Sequence, residues 1–229
     1  MPLIERHDLI TVEPEIPASA CIIWLHGLGA DGYDFVSITP YLNERLGNPG
    51  IRYLFPHAPQ RPVTIADGQT MRSWYDIMAM APKRTIDPDQ LADSVNRVYQ
   101  LVEEQMQAGI EPQKIVIAGF SQGGAVAYQA ASSCAHTLGG LIAMSTYVPD
   151  ASVVNPFFVN TANQRLPVFI GHGLYDQVVP LTLAEQALSQ LQSHGLQPQW
   201  HTYPIQHEVA RLEVDDIARF LQNLPRFCF

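Results

Sequence analysis

The sequence predicts an α/β protein built on a doubly wound, mainly parallel sheet. Three observations carry this. Short apolar runs alternate with longer amphipathic stretches, the pattern of strands joined by crossover helices. Two runs, Lys114–Ala118 and Gly140–Met144, are nearly continuously apolar, as parallel strands covered on both faces are. No linker or internal repeat divides the 229 residues, so 1–229 read as one domain.

In chain order, His7–Glu13 is expected to add an antiparallel edge strand. Strands follow at Ala20–Leu25, Ile51–Phe55, Lys114–Ala118, Gly140–Met144, Pro167–Ile170 and Gln199–Tyr203. Leu91, Val95, Val98 and Val102 step by four, three and four, which puts them on one helix face, and Gly109 ends that helix. Further helices are expected at Ser121–Cys134, Leu181–His194 and Glu208–Leu221. Pro56–Pro88 reads as a long irregular loop, interrupted by prolines. Tyr147–Arg165 reads as a second, carrying Val153, Val154, Phe157 and Phe158. Long loops of this kind are often functional. Either one walls a substrate site or packs its aromatics onto the core.

Apolar residues make up 47% of the chain and charged residues 15%, a composition for a packed globule. The net charge is −9, and the only lysines are Lys83 and Lys114. Nucleic acid and anionic membrane surfaces are therefore not expected as partners. Cys21, Cys134 and Cys228 are too few and too scattered for a disulfide framework or a zinc motif, and read as buried thiols. The first eight residues have no apolar core of a signal peptide, and no apolar run approaches the length of a membrane span. A cytoplasmic protein is expected.

The chemistry centres on Gly119-Phe120-Ser121-Gln122-Gly123-Gly124. The β-branched run before it is a strand, and Ala125–Ala131 after it reads as a helix. Strand, Gly-x-Ser-x-Gly, helix is the context of the nucleophile elbow of the α/β-hydrolase fold. The turn is so tight that the serine is strained and side chains at Gly119 and Gly123 would collide with backbone. The hydroxyl then stands at a helix N-terminus, whose free N–H groups favour a developing oxyanion.

A serine hydroxyl needs a base, and in this fold the partners follow in the order Ser, acid, His. Candidates for the base are His136, His172, His194, His201 and His207. His207 is chosen because Pro204–His207 is a short loop after the last strand, at the sheet edge where open α/β sheets carry chemistry. The acid is Asp176 or Asp150, after the preceding strand; Asp176 is favoured because its glycine-flanked loop, Gly171–Asp176, permits a close approach. His172 is read as structural, and Asp215 and Asp216 as solvent-facing. At the end of the first long strand, Trp24-Leu25-His26-Gly27-Leu28-Gly29 matches an oxyanion loop. It would supply Leu28 N–H opposite Gln122 N–H, with His26 fixing the loop.

Taken together, the chain resembles the bacterial carboxylesterases of the acyl-protein thioesterase and lysophospholipase-like group. The matching pieces, in family order, are Leu25–Asp31, Phe55–Pro59, Arg72–Asp76, Gly119–Gly124, His172–Asp176 and Tyr203–Glu208. The resemblance implies Asp176 rather than Asp150 as the acid, and Leu28 and Gln122 for the oxyanion hole. It also implies a small enzyme without a separate lid domain. It directs attention to Trp74, which either packs against the acyl chain of the substrate or anchors its loop.

The expected function is a serine carboxylesterase that hydrolyses short to medium acyl esters through an acyl-enzyme on Ser121. No cofactor or metal is expected, and the only partner is a small-molecule ester, with the protein a monomer or homodimer. The alternatives are an acyl-protein thioesterase or lysophospholipase, an acyltransferase, and a non-catalytic binding protein on the same fold.

Overall fold

The computed structural model describes residues 1–47, 50–80, 84–149 and 162–227. Pro82, Lys83, Asp150, Val153, Val154, Phe157, Phe158 and Cys228 lie outside the described residues.

Eight strands form one sheet. They are β1 (Leu3–Arg6), β2 (Leu9–Val12), β3 (Ala20–Leu25), β4 (Ile51–Pro56), β9 (Ile115–Phe120), β10 (Gly140–Met144), β11 (Val168–Gly173) and β12 (Gln199–Tyr203). Their order across the sheet is β1-β2-β4-β3-β9-β10-β11-β12. From β4 to β12 all pairs are parallel, while β1–β2 and β2–β4 are antiparallel. This is the α/β-hydrolase fold.

Alternation along the central strands divides the core in two. Cys21, Ile23, Leu25, Ile115 and Ile117 point to the face covered by α2 (Pro88–Gln107), α3 (Gln122–Ser133) and α4 (Leu181–Ser193). Ile22, Trp24, Val116, Ala118 and Phe169 point to the other, covered by α1 (Thr39–Leu46) and α5 (Arg211–Gln222). Both sets are fully buried, which is why these strands lack a polar face. Local sequence sets the ends of α2. The Asp87 side chain accepts from Asp89 N–H and Gln90 N–H, Pro88 opens the helix, and Gly109 closes it at φ 90°. There Gly109 N–H donates to Met106 O and Ile110 N–H to Gln105 O, the two bonds of a Schellman end.

Three expectations need correction. The His7–Glu13 strand exists as β2, but it is not the edge. The fully exposed β1 folds back outside it. Pro56–Pro88 is not an irregular loop. It holds two antiparallel hairpins, β5 (Gln60–Val63) with β6 (Gln69–Arg72), and β7 (Ile77–Ala79) with β8 (Thr85–Ile86). Their strands are two to four residues long and largely exposed, so hydrophobic alternation could not mark them. Helix α1 was not anticipated, because its core-facing positions include the polar Thr39 and Asn43.

The topology also places the site. The chain leaves β3 for β4 on one side, then crosses back to lay β9 on the other side of β3. Loops from the C-terminal ends of β3 and β9 therefore diverge from a switch point, where open α/β sheets hold ligands.

Candidate active site

Ser121 sits at that switch point, between β9 and α3, with φ 53° and ψ −119°. This strained conformation is enforced from several sides. Ser121 N–H donates to Met144 O on β10 at 3.0 Å, and the Thr146 hydroxyl donates to Ser121 O at 2.6 Å. A Cβ at Gly119 would lie 2.4 Å from Gly123 O, and one at Gly123 would lie 2.4 Å from His26 O. The two glycines of the motif are thus where the elbow meets itself and the β3 loop.

His207 and Asp176 complete a linear array. His207 Nε2 is 2.9 Å from Ser121 Oγ, and its Nδ1 is 2.7 Å from Asp176 Oδ2. The Asp176 side chain is fully buried, and its Oδ1 accepts from Val178 N–H at 2.9 Å and Val179 N–H at 2.8 Å. Those bonds leave Oδ2 to His207. The Phe120 ring packs on the imidazole with centroids 4.7 Å apart. An imidazole so held presents an unprotonated Nε2 to the hydroxyl, the arrangement that activates a serine.

The loop after β3 stands beside it. A Cβ on Gly27 would be 3.5 Å from the Ser121 Cβ. Neither Leu28 N–H nor Gln122 N–H has an acceptor among the described residues. The loop is pinned by His26, whose Nε2 accepts from Ala58 N–H at 3.0 Å, so that its Nδ1–H donates to Gly27 O at 2.7 Å. Burial pushes the His26 imidazole down to about 4, so it is neutral and able to hold both bonds at ordinary pH.

Trp74 is not among the residues that line the groove over Ser121. It is only 1% exposed, its indole N–H donates to His26 O at 2.8 Å, and its ring lies against the His26 ring. These contacts are those of a loop anchor. Sequence reasoning also missed the Gln122 side chain. Its Oε1 accepts from Trp74 N–H at 2.9 Å and its Nε2 donates to Tyr75 O at 2.7 Å, which ties the elbow to the Arg72–Asp76 segment. No local signal could have shown this, since the partners are 48 and 47 residues apart.

The remaining candidates fall elsewhere. His172 is buried and its Nε2 donates to Val179 O at 2.8 Å, beneath the Asp176 loop. His136 pairs with Glu103, His194 with Gln190 O, and His201 lies near Asp216. Asp215 and Asp216 are not simply solvated: Asp215 accepts from the Tyr41 hydroxyl and Asp216 from the Tyr203 hydroxyl. Among the described residues, no group of three or more His, Cys, Asp or Glu could hold a metal ion.

A groove of about 240 Å³ opens over Ser121 and His207. Its walls are mostly apolar, including Leu28, Ile65, Ile77, Met80 and Val178. Arg84 and Tyr147 close one end, with the guanidinium 3.9 Å above the Tyr147 ring and the Tyr147 hydroxyl 2.6 Å from that of Tyr75.

Fold and array together define a hydrolase of the esterase and thioesterase type on an α/β-hydrolase scaffold. The chain belongs to the phospholipase/carboxylesterase family, whose sequence profile matches residues 7–224. Acyl-protein thioesterase 1 of Yarrowia lipolytica is 33% identical over 223 residues, covering 95% of this chain and 97% of that one. Acyl-protein thioesterase 1 homolog 1 of Dictyostelium discoideum is 33% identical over 212 residues, covering 91% and 92%. The crystal structure of Zea mays acyl-protein thioesterase 2 superposes with a TM-score of 0.78 at 26% identity, covering 93% of this chain and 97% of that one. These relatives are eukaryotic, and they give no support to the narrower resemblance to bacterial carboxylesterases.

Proposed function

We propose that the chain hydrolyses acyl thioesters and esters through an acyl-enzyme on Ser121, with thioesters of the acyl-protein type as the favoured class. The observation that carries the chemistry is the hydrogen-bonded array Ser121–His207–Asp176 beside the free amides of Leu28 and Gln122. His207 takes the hydroxyl proton as Ser121 Oγ attacks the carbonyl carbon. The two amides receive the oxyanion, and Asp176 orients and stabilises the charged imidazole. The protonated imidazole then gives its proton to the departing thiol or alcohol. Water repeats the sequence on the acyl-enzyme.

Thioester over ester rests on the relatives named above, which are acyl-protein thioesterases, and not on the array, which serves either bond. The apolar groove supports an acyl chain over a polar acid. Carboxylic esters of short to medium chain length remain the second reading. The deciding experiment compares kcat/KM for an acyl thioester and the oxyester of the same acyl group. Thioester preference at equal chain length supports the proposal, and oxyester preference returns the chain to the carboxylesterases.

A further inference from the structure

The catalytic groove is not the largest cavity. One of about 570 Å³ lies behind the oxyanion loop, with His57, Ala58, Arg61, Arg72, Trp74 and Arg97 in its wall. That volume is within the roughly 300–1,000 Å³ typical of small-molecule sites. None of these residues takes part in the array around Ser121.

Its charge is unlike that of the rest of the chain. The protein carries 22 acidic and 13 basic residues, yet three arginines meet here against two aspartates, Asp8 and Asp93, in the same wall. Arg97 is compensated, 2.7 Å from Asp8 and 3.4 Å from Glu104. Arg61 and Arg72 have no carboxylate within salt-bridge distance among the described residues. Arg61 is half-buried, and its Nε is buried with no acceptor. The burial lowers its pKa against the pull of Asp87, Asp93 and Asp76. Arg72 spends one N–H on Ala58 O, at 2.9 Å. Its positive field, after burial, helps to lower the His57 imidazole. A guanidinium in a half-buried wall with no carboxylate in direct contact is costly, and its fork of donors matches carboxylate or phosphate oxygens.

The same wall holds the oxyanion loop. Gly29 N–H, next to Leu28, donates to Arg72 O at 2.9 Å. Ala58 N–H donates to His26, and Trp74 donates to His26 O. We infer that this cavity is a second binding site, for a small organic anion held by Arg61 and Arg72, whose occupancy is transmitted through Arg72, Ala58 and Trp74 to the Leu28 amide. The occupant carries a carboxylate or phosphate for the arginines and a modest apolar body for Ala58 and Pro59. Coupling through shared hydrogen bonds is reciprocal, so binding there and catalysis each report on the other.

Phenyl phosphate is the probe, with benzyl alcohol as its neutral counterpart. Calorimetric titration of the full chain should show saturable binding of phenyl phosphate and none of benzyl alcohol. Arg61→Gln should weaken it at least about tenfold, the loss of a charge-assisted contact, while Arg61→Lys restores part of it. Arg84→Gln changes the cation of the catalytic groove and should alter binding less than about twofold. Saturating probe should change kcat for a simple ester and leave KM in place. The binding arm needs no turnover, so it stands or fails apart from the thioesterase reading. No saturable binding, a loss caused by Arg84→Gln instead of Arg61→Gln, or purely competitive inhibition would each overturn the site. Binding with no change in kcat would overturn the coupling.

Discussion

At the scale of single residues, the array depends on what each neighbour forbids. Ser121 is held at φ 53° by bonds from β10 and its following loop, so its hydroxyl cannot relax away from His207. Ser121→Ala removes the proposed nucleophile without touching those backbone bonds. Turnover of any acyl substrate should fall by about 10⁶-fold in kcat, with the circular dichroism spectrum and melting temperature unchanged. Residual activity of a few per cent would mean that Ser121 is not the nucleophile. Asp176 makes a subtler case. Its Oδ1 is committed to two backbone N–H groups, so an asparagine there keeps its oxygen on them and turns its NH₂ to His207 Nδ1. The imidazole must then carry its proton on Nε2 and cannot accept one from Ser121. Asp176→Asn should lower kcat by about 10⁴-fold, the cost of the wrong tautomer in such arrays. Steady-state kinetics at neutral pH check this, and a loss below tenfold would remove Asp176 as the orienting acid.

At the scale of elements, the site is an agreement between loops. Gly173 ends β11, and a Cβ there would lie 2.1 Å from Gln206 O, beside His207. The two loops are also joined by Leu174 N–H to Tyr203 O and Tyr175 N–H to Ile205 O. Gly173→Ala should force Asp176 and His207 apart. It should cost about 1–3 kcal/mol in stability, as overpacking does, and lower kcat more than it raises KM. Chemical denaturation with parallel kinetics reads both, and a variant as active as the parent would show that the loops can yield.

Helix α5 carries a second buried carboxyl, Glu213, against Gly171 of β11. Burial pushes it up to about 8, with the Ala210 amide opposing and Asp216 reinforcing. The folded value is raised above the unfolded one near 4.5, so its contribution is fully present below pH 4.5 and is lost as pH rises through about 8. Glu213→Gln removes that dependence. The melting temperature of the glutamine variant relative to the parent should climb from pH 4.5 to about 8 and then level off. A gap independent of pH would mean that Glu213 does not titrate late.

At the scale of the molecule, the switch between β3 and β9 brings the loop after β3, the Ser121 elbow and an apolar groove to one edge of the sheet. On the proposed function, the groove selects for chain length by burial. Each methylene it covers contributes roughly 0.8 kcal/mol, so kcat/KM should rise along a homologous series of acyl substrates until the groove is full. A rise that continues to palmitate fits the acyl-protein class, and one that breaks at medium length fits the shorter esters. Preference for acetate would contradict an acyl groove altogether. Among the described residues no helix is long and apolar enough to cross a membrane.

The sequence by itself determined what is written locally. Apolar runs mark six of the eight strands of the main sheet, and the polar-apolar segment His7–Glu13 marks β2 but not the β1 that lies outside it. The helix period marked α2 to α5, and Gly-x-Ser-x-Gly between strand and helix located Ser121. Such signals survive in one dimension because neighbours at two to five residues create them. Asp176 and His207 are legible as loop residues at strand ends, and the glycine-flanked loop favours Asp176 over Asp150 before the resemblance implies the same. The tertiary structure alone decided what depends on partners far along the chain. Ser121 and His207 are 86 residues apart, and Trp74 and His26 are 48 apart. Whether an indole meets substrate or a carbonyl is settled by which loops the sheet brings side by side. The hairpins of Pro56–Pro88 escaped for the same reason, since short exposed strands owe their pairing to what they pack on and not to a pattern of their own.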